Sequence, residues 1–142
     1  MSTKPAPSTV GKGAPELDLS PAELREILEQ ALLSIGPGAR VLAIVPDKTR
    51  DDNTDVLFPF AAEILEDRGA EQFDALVAQG THMPMTEGEK RAKVGLGGAP
   101  LPLLGNIFDH QWNDPDELVD LGELSAGRVS ELTGGLINLR VE

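Results

Sequence analysis

Two polar loops in this chain carry the residue types that acid–base chemistry and anion binding require. The first is Pro46-Asp47-Lys48-Thr49-Arg50-Asp51-Asp52-Asn53, directly after the apolar run Val41 to Val45. The second is Gly80-Thr81-His82-Met83-Pro84-Met85-Thr86. Arg50 offers a planar fork of donors matched to a carboxylate or phosphate. Asp47 can accept a hydrogen bond from a hydroxyl or orient a neighbouring base. The competing reading is a local Asp–Arg pair, with Asp51, Asp52 and Asn53 capping the helix that follows. His82 is one of 2 histidines, and imidazole is the side chain suited to proton transfer near neutral pH. Gly80 permits unusual backbone angles before it, and Pro84 stiffens the loop behind it. His82 could equally cap the next helix or bond the backbone. His110 follows Asp109 at a similar place, the end of an apolar run, and a structural or surface role competes there too. Lys90, Arg91 and Lys93 form a basic cluster that could draw in an anionic substrate or cofactor. As a solvated helix face the cluster would need no ligand at all.

The elements that position these groups follow from local rules. Ser20-Pro21-Ala22-Glu23 is a capping box with proline at the first helical position. Leu24, Ile27, Leu28, Ala31 and Leu32 continue at helical spacing, and Gly36-Pro37-Gly38 stops the helix. Arg40 to Val45 reads as a strand apolar on both faces, the pattern of a buried parallel strand. Val56, Leu57, Phe60, Ala61, Ile64 and Leu65 trace a second helix, with Asn53 or Thr54 at its N-cap and Gly69 past its end. Phe73 to Ala78 is the next strand, and Thr86-Glu87-Gly88-Glu89 caps a short helix. Strand–loop–helix thus occurs twice. The expectation is a Rossmann-like, three-layer α/β domain, with a mostly parallel sheet and helices on both faces. Ligands in such sheets sit beyond the C-terminal strand ends, where both polar loops would lie side by side.

The flanks are less regular. Residues 1–19 are rich in Pro, Gly, Ser, Thr and Lys and read as a flexible or irregular lead-in to a domain over 20–142. Gly95 to Gly105 is a glycine- and proline-rich loop, and Asn106 to His110 is a short third strand. Asp114-Pro115-Asp116 starts a turn, and Leu118 to Leu124 fits strand or helix. Leu136 to Val141 alternates like a strand, and ending there suggests a fragment of a longer two-domain protein.

Composition narrows the function. The 142 residues suit one domain with a real core, and 40% apolar content is ordinary for a globular chain. The formal charge of −12, from 24 acids and 12 bases, argues against binding nucleic acid or anionic lipid. The absence of cysteine excludes disulfides, thiolate metal sites and cysteine nucleophiles. No apolar run approaches a membrane span or a secretion signal, so a cytoplasmic location is the default.

Asp47-Lys48-Thr49 after an apolar strand resembles the phosphorylated-aspartate segment of haloacid-dehalogenase-type phosphatases and ion pumps. That class needs a downstream lysine and an acidic magnesium loop. No Gly-Asp-Gly-x-x-Asp pattern occurs, and Arg50 stands where the pump motif has glycine.

A wider resemblance fits better. Asp47-Lys48-Thr49-Arg50, then Ala78-Gln79-Gly80-Thr81-His82-Met83-Pro84-Met85-Thr86 with Glu89, resemble the N-terminal domain of the lactate racemase family. The likeness continues through Asp109-His110, Asp114-Pro115 and Leu121-Gly122. What the resemblance implies is a 2-hydroxy-acid racemase or epimerase that uses a nickel-pincer nucleotide to move a hydride. Two histidines serve such an enzyme as acid and base, and His82 matches the first. Asp47, Thr49, Arg50, Gly80 and Thr81 match positions lining substrate or cofactor, and His110 is a further candidate. No metal ligand is expected in this chain. The cofactor-linked lysine, the nickel-ligating histidine and the second catalytic histidine are expected downstream, in a C-terminal part of the same protein. Cofactor-synthesis enzymes would be partners, and this fragment alone would be inactive. Met83 replaces a frequent arginine and Asp51 a frequent proline, so a hydroxy acid other than lactate also fits. The alternative is a non-catalytic anion-binding or regulatory domain of the same fold.

Overall fold

The computed structural model describes residues 9–97 and 100–141. Residues 1–8 of the expected lead-in, Gly98 and Ala99 of the glycine-rich loop, and Glu142 lie outside the described residues. Residues 9–19 contain no helix or strand. The chain divides into two compact units, Met1–His110 and Gln111–Glu142.

In the first unit the order is α1 (Pro21–Ala31), β1 (Arg40–Val45), α2 (Thr54–Asp67), β2 (Gln72–Val77), α3 (Glu87–Lys93) and β3 (Leu104–Asp109). The three strands form one sheet in the order β1-β2-β3, and both pairings are parallel. The α/β class and the parallel sheet with helical crossovers are therefore as expected. Both capping boxes form, Ser20 with Glu23 and Thr86 with Glu89. Gly69 takes a φ of +74° just beyond α2, the left-handed position that glycine tolerates.

The core lies on one side of the sheet. Odd positions of β1 and β2 (Val41, Ala43, Val45, Phe73, Ala75 and Val77) pack with Phe58, Ala62 and Leu65 of α2. The Phe58 and Phe73 rings stack 4.4 Å apart. The apolar stripe of α2 is rotated from the expected one: Phe58 and Ala62 are buried, whereas Val56, Leu57, Phe60 and Ala61 are half-buried. Helix α1 buries no residue fully and packs beside α2 as an outer element. Arg68, the C-cap of α2, donates to the carbonyls of Leu32 and Leu33, closing the C-terminal end of α1.

The other face of the sheet departs from the expected layering. Leu42, Ile44 and Phe108 are 52%, 70% and 47% exposed. Helices cover one face of this unit's sheet, and a helical layer on both faces is not built by the described residues. The apolar character of both faces of β1 is what suggested two layers. Apolarity reports what a face tolerates, and the covering depends on elements elsewhere in the fold.

The second unit is largely irregular. The turn expected at Asp114 forms, with Glu117 N–H donating to the Asp114 carbonyl at 3.1 Å. Leu118 to Leu124 is neither strand nor helix, and Leu136 to Val141 makes only one antiparallel bridge, Leu124 with Val141. Helix α4 (Ala126–Leu132) starts at Ser125, whose hydroxyl accepts from Arg128 N–H. This helix is not among the elements expected from the sequence: a glycine in the first turn and only seven residues give no clear period.

Candidate functional site

Val45 and Val77, the last residues of β1 and β2, are register partners. The two polar loops therefore leave the sheet side by side at its C-terminal edge. They enclose a cleft of about 270 Å³ lined by Asp47, Arg50, Gln79, Gly80, Thr81 and His82, with Pro46 and Ala78.

Asp47 is the buried charge of this cleft, 4% exposed. Its Oδ1 accepts from the Thr49 backbone N–H at 3.0 Å and from the Thr49 hydroxyl at 2.6 Å. Its Oδ2 lies 2.5 Å from Nδ1 of His82. The Thr49 hydroxyl, and then His82, hold the Asp47 carboxyl at about 2, below its ordinary 3.8. An ionised carboxylate can only accept hydrogen bonds, so Nδ1 of His82 carries the hydrogen. In the neutral ring Nε2 is then left with a lone pair, the form a general base needs. The expected Asp–Arg pair does not form; Asp47 is paired with Thr49 and His82.

The His82 ring is half exposed, and its backbone is fixed from below. Its N–H donates to the Gln79 carbonyl at 3.0 Å, closing a turn in which Gly80 takes a φ of +58°. A Cβ at Gly80 would meet nothing within 4 Å, so the glycine is required by the backbone angle alone. Arg50 is exposed, and its guanidinium makes no hydrogen bond or ion pair with the described residues. An unpaired arginine fork beside an oriented imidazole suits a ligand with a carboxylate and an adjacent hydroxyl.

Helix α3 binds the two loops together. Lys48 pairs with Glu89 at 2.5 Å. Lys93 Nζ reaches the Arg50 carbonyl at 2.9 Å and Asp52 at 2.8 Å. Lys90 is 5% exposed and sits between Glu87 and Asp109. The basic cluster is thus neither an anion site nor a solvated face, since Lys90 and Lys93 serve as internal struts and only Arg91 is exposed. Asp52 also accepts from Thr54 N–H, so it caps α2 where Asn53 makes no side-chain cap bond.

These ties carry a pH signature. Asp52 and Glu89 are held at about 2, by Lys93 and Lys48 respectively, as is Asp47. The ordinary values are 3.8 for aspartate and 4.5 for glutamate. Between about pH 4.5 and 2 the unfolded chain binds protons that the folded chain does not, so stability rises with pH in that window. The urea midpoint is expected to be flat above about pH 5 and to fall as pH drops from about 4.5 to 2. Added salt should shrink the fall, because the Lys48–Glu89 pair is exposed. A midpoint unchanged from pH 5 to 2 would remove these ties as contributors.

Each expected site residue has a place in this arrangement. Asp47, Arg50, Gly80, Thr81 and His82 line the cleft. Thr49 stands behind them and holds Asp47. His110 directly follows β3, its N–H donates to the Val77 carbonyl of β2, and its ring does not line the cleft. Gln79, absent from the sequence-based candidates, lines the cleft while 2% exposed. Its place in the motif from Ala78 to Thr86, immediately before the glycine turn, was the available signal. No group of three or more His, Cys, Asp or Glu able to hold a metal ion occurs among the described residues. No helix among them is long and apolar enough to cross a membrane.

Comparison with known proteins agrees with the resemblance drawn from the loops. A crystal structure of a Thermotoga maritima protein superposes with a TM-score of 0.72 at 29% identity, over 87% of this chain and 29% of that one. This chain therefore spans less than a third of that protein's length. No curated protein matched. The model of the lactate racemase N-terminal domain matches residues 21–134, and the chain belongs to that family.

Proposed function

We propose that this domain supplies half of the active site of a 2-hydroxy-acid racemase or epimerase. The observation that carries the reading is the Asp47–His82 contact, 2.5 Å across two loops, with the unpaired Arg50 fork in the same cleft. Arg50 holds the substrate carboxylate. The Nε2 of His82 takes the proton of the adjacent hydroxyl and returns it. Asp47 fixes the tautomer and stabilises the imidazolium that forms, and Thr49 keeps Asp47 in place. Met83, 83% exposed beside His82, leaves the substrate's side chain open to acids other than lactate.

The family's nickel-pincer nucleotide fits this cleft on chemical grounds. Arg50 is an unpaired donor for an anionic group, and the space beside Gly80, where a Cβ would meet nothing, leaves backbone open to approach. Arg50, Gly80 and Thr81 would contact the group, which when bound supplies a hydride acceptor for the substrate α-carbon. The lysine and histidine that anchor the group and its metal belong to a C-terminal part of the same protein, with cofactor-synthesis enzymes as upstream partners. The acidic surface and the reaction's small-molecule substrate suit a cytoplasmic enzyme.

The test uses the full-length, cofactor-loaded protein. Interconversion of 2-hydroxy-acid enantiomers, followed by chiral separation, is expected. Arg50→Ala should lower kcat/KM by about 10- to 100-fold, the worth of a charge-assisted hydrogen bond. No interconversion of any 2-hydroxy acid tried, together with Arg50-dependent binding of lactate or phosphate, would instead identify an anion-binding domain.

A further inference from the structure

Gln79 occupies an odd position for a buried polar residue. It is 2% exposed, and its carbonyl Oε1 is buried with no hydrogen-bond partner among the described residues. Its amide Nε2 donates to the His110 carbonyl at 3.3 Å. The orientation follows from chemistry, since the opposite flip would set two carbonyl oxygens against each other. The backbone carbonyl of the same residue accepts the His82 N–H at 3.0 Å. One residue therefore holds the backbones of both histidine-bearing segments. The side-chain bond extends the β2–β3 ladder past its last rung, where His110 N–H reaches the Val77 carbonyl at 3.3 Å.

A buried amide with one bond made and one acceptor orphaned is a poor stabiliser. An apolar side chain of similar volume would remove one orphan, the Gln79 Oε1, and leave another, the carbonyl of half-buried His110, so stability should change little. Buried, partly satisfied polar groups of this kind concentrate where geometry matters more than stability. Other residues hold the neighbourhood without Gln79: Met85 and Val94 bury the loop from the core side, and Lys90 ties α3 to Asp109.

We propose that Gln79 is a positioning residue that couples the His82 turn to the His110 end of β3. Gln79 sets the height of the His82 ring above the sheet, and hence the reach of its Nε2 into the cleft. The role in turnover rests on the reading of His82 as acid and base. The coupling itself does not.

The experiment compares wild type with Gln79→Leu and Gln79→Glu. In this chain, the ring nitrogen and ring proton resonances of His82 and His110 are recorded with the melting temperature. Gln79→Leu is expected to move the resonances of both histidines while the melting temperature stays within about 2 °C. Gln79→Glu keeps the shape but sets an acceptor against the His110 carbonyl, so it should move both histidines and lower the melting temperature. In the loaded full-length protein, Gln79→Leu should lower kcat about tenfold, with KM changed less than about threefold. Histidine resonances that superpose on wild type in both variants would overturn the proposal, whatever the activity. A large loss of melting temperature in Gln79→Leu would also overturn it, because the residue would then be a structural strut. Moved histidines with unchanged turnover would leave the coupling standing and count against His82 as acid and base.

Discussion

Replacing His82 by alanine in the full-length, cofactor-loaded protein is expected to slow 2-hydroxy-acid interconversion by about 10²- to 10⁴-fold, the usual worth of a general acid–base. The fold should survive, because the ring is half exposed and is not part of the core. Asp47 keeps two donors from Thr49 after the ring is gone, so its charge is not left unpaired. Asp47→Asn is the sharper companion. Both Thr49 donors can still reach the carbonyl oxygen of the introduced amide. The amide NH₂ would then face His82 Nδ1, which favours the tautomer with the hydrogen on Nε2. The lone pair would be on the wrong nitrogen, and turnover should fall although every atom of the imidazole remains. Chiral assay and a thermal melt on the same samples separate loss of chemistry from loss of fold. A His82→Ala rate within about twofold of wild type would remove the acid–base role.

The largest expected effect on stability lies at a residue with no chemistry. Gly95 follows α3 with a φ of +75°. A Cβ there would lie 2.2 Å from the Asp55 carbonyl oxygen and 2.8 Å from Pro59 Cγ. Pro59 stands inside α2 and has no N–H to give the Asp55 carbonyl four residues earlier. Gly95 packs against that carbonyl, and both colliding groups belong to a helix backbone or a rigid ring. Gly95→Ala adds left-handed strain of about 1–2 kcal/mol to an overpacking cost of about 1–3 kcal/mol. A loss of about 2–5 kcal/mol is expected in urea denaturation. Gly88→Ala is the control, since a Cβ there meets nothing within 4 Å. A loss below about 1 kcal/mol at Gly95 would show that α3 shifts freely against α2.

Much of this site was legible in advance because its parts obey local rules. Capping boxes at Ser20 and Thr86 satisfy donors within four residues, and they form as read. Gly69 and Gly80 take the positive φ that their places after a helix and before a turn demand. The apolar runs mark β1 and β2 to within one residue at each end. Parallel strands joined by helices bring two strand-end loops together, so a shared cleft follows from topology. Elements with weak local signals depart from their expected form. Leu136 to Val141 alternates, yet an isolated strand without a ladder does not form from alternation.

Sequence alone determined which residues could do chemistry and on which edge of the sheet they would stand. Partner choice was decided by the tertiary structure. Asp47 could have paired with Arg50, its near neighbour. It pairs with His82 because the parallel register puts Val45 beside Val77 and aligns the loops beyond them. Lys90 and Lys93 looked like bait for an anion, but the packing of α3 across the strand ends turns them inward to Asp109 and Asp52. Gln79 stood in the resembling motif with no role assigned to it, since its burial and its bond to His110 exist only once β3 lies beside β2. Each of these outcomes depends on distances between residues far apart in the chain. Composition and period constrain the face on which a side chain falls, and only the assembled sheet determines what it meets there.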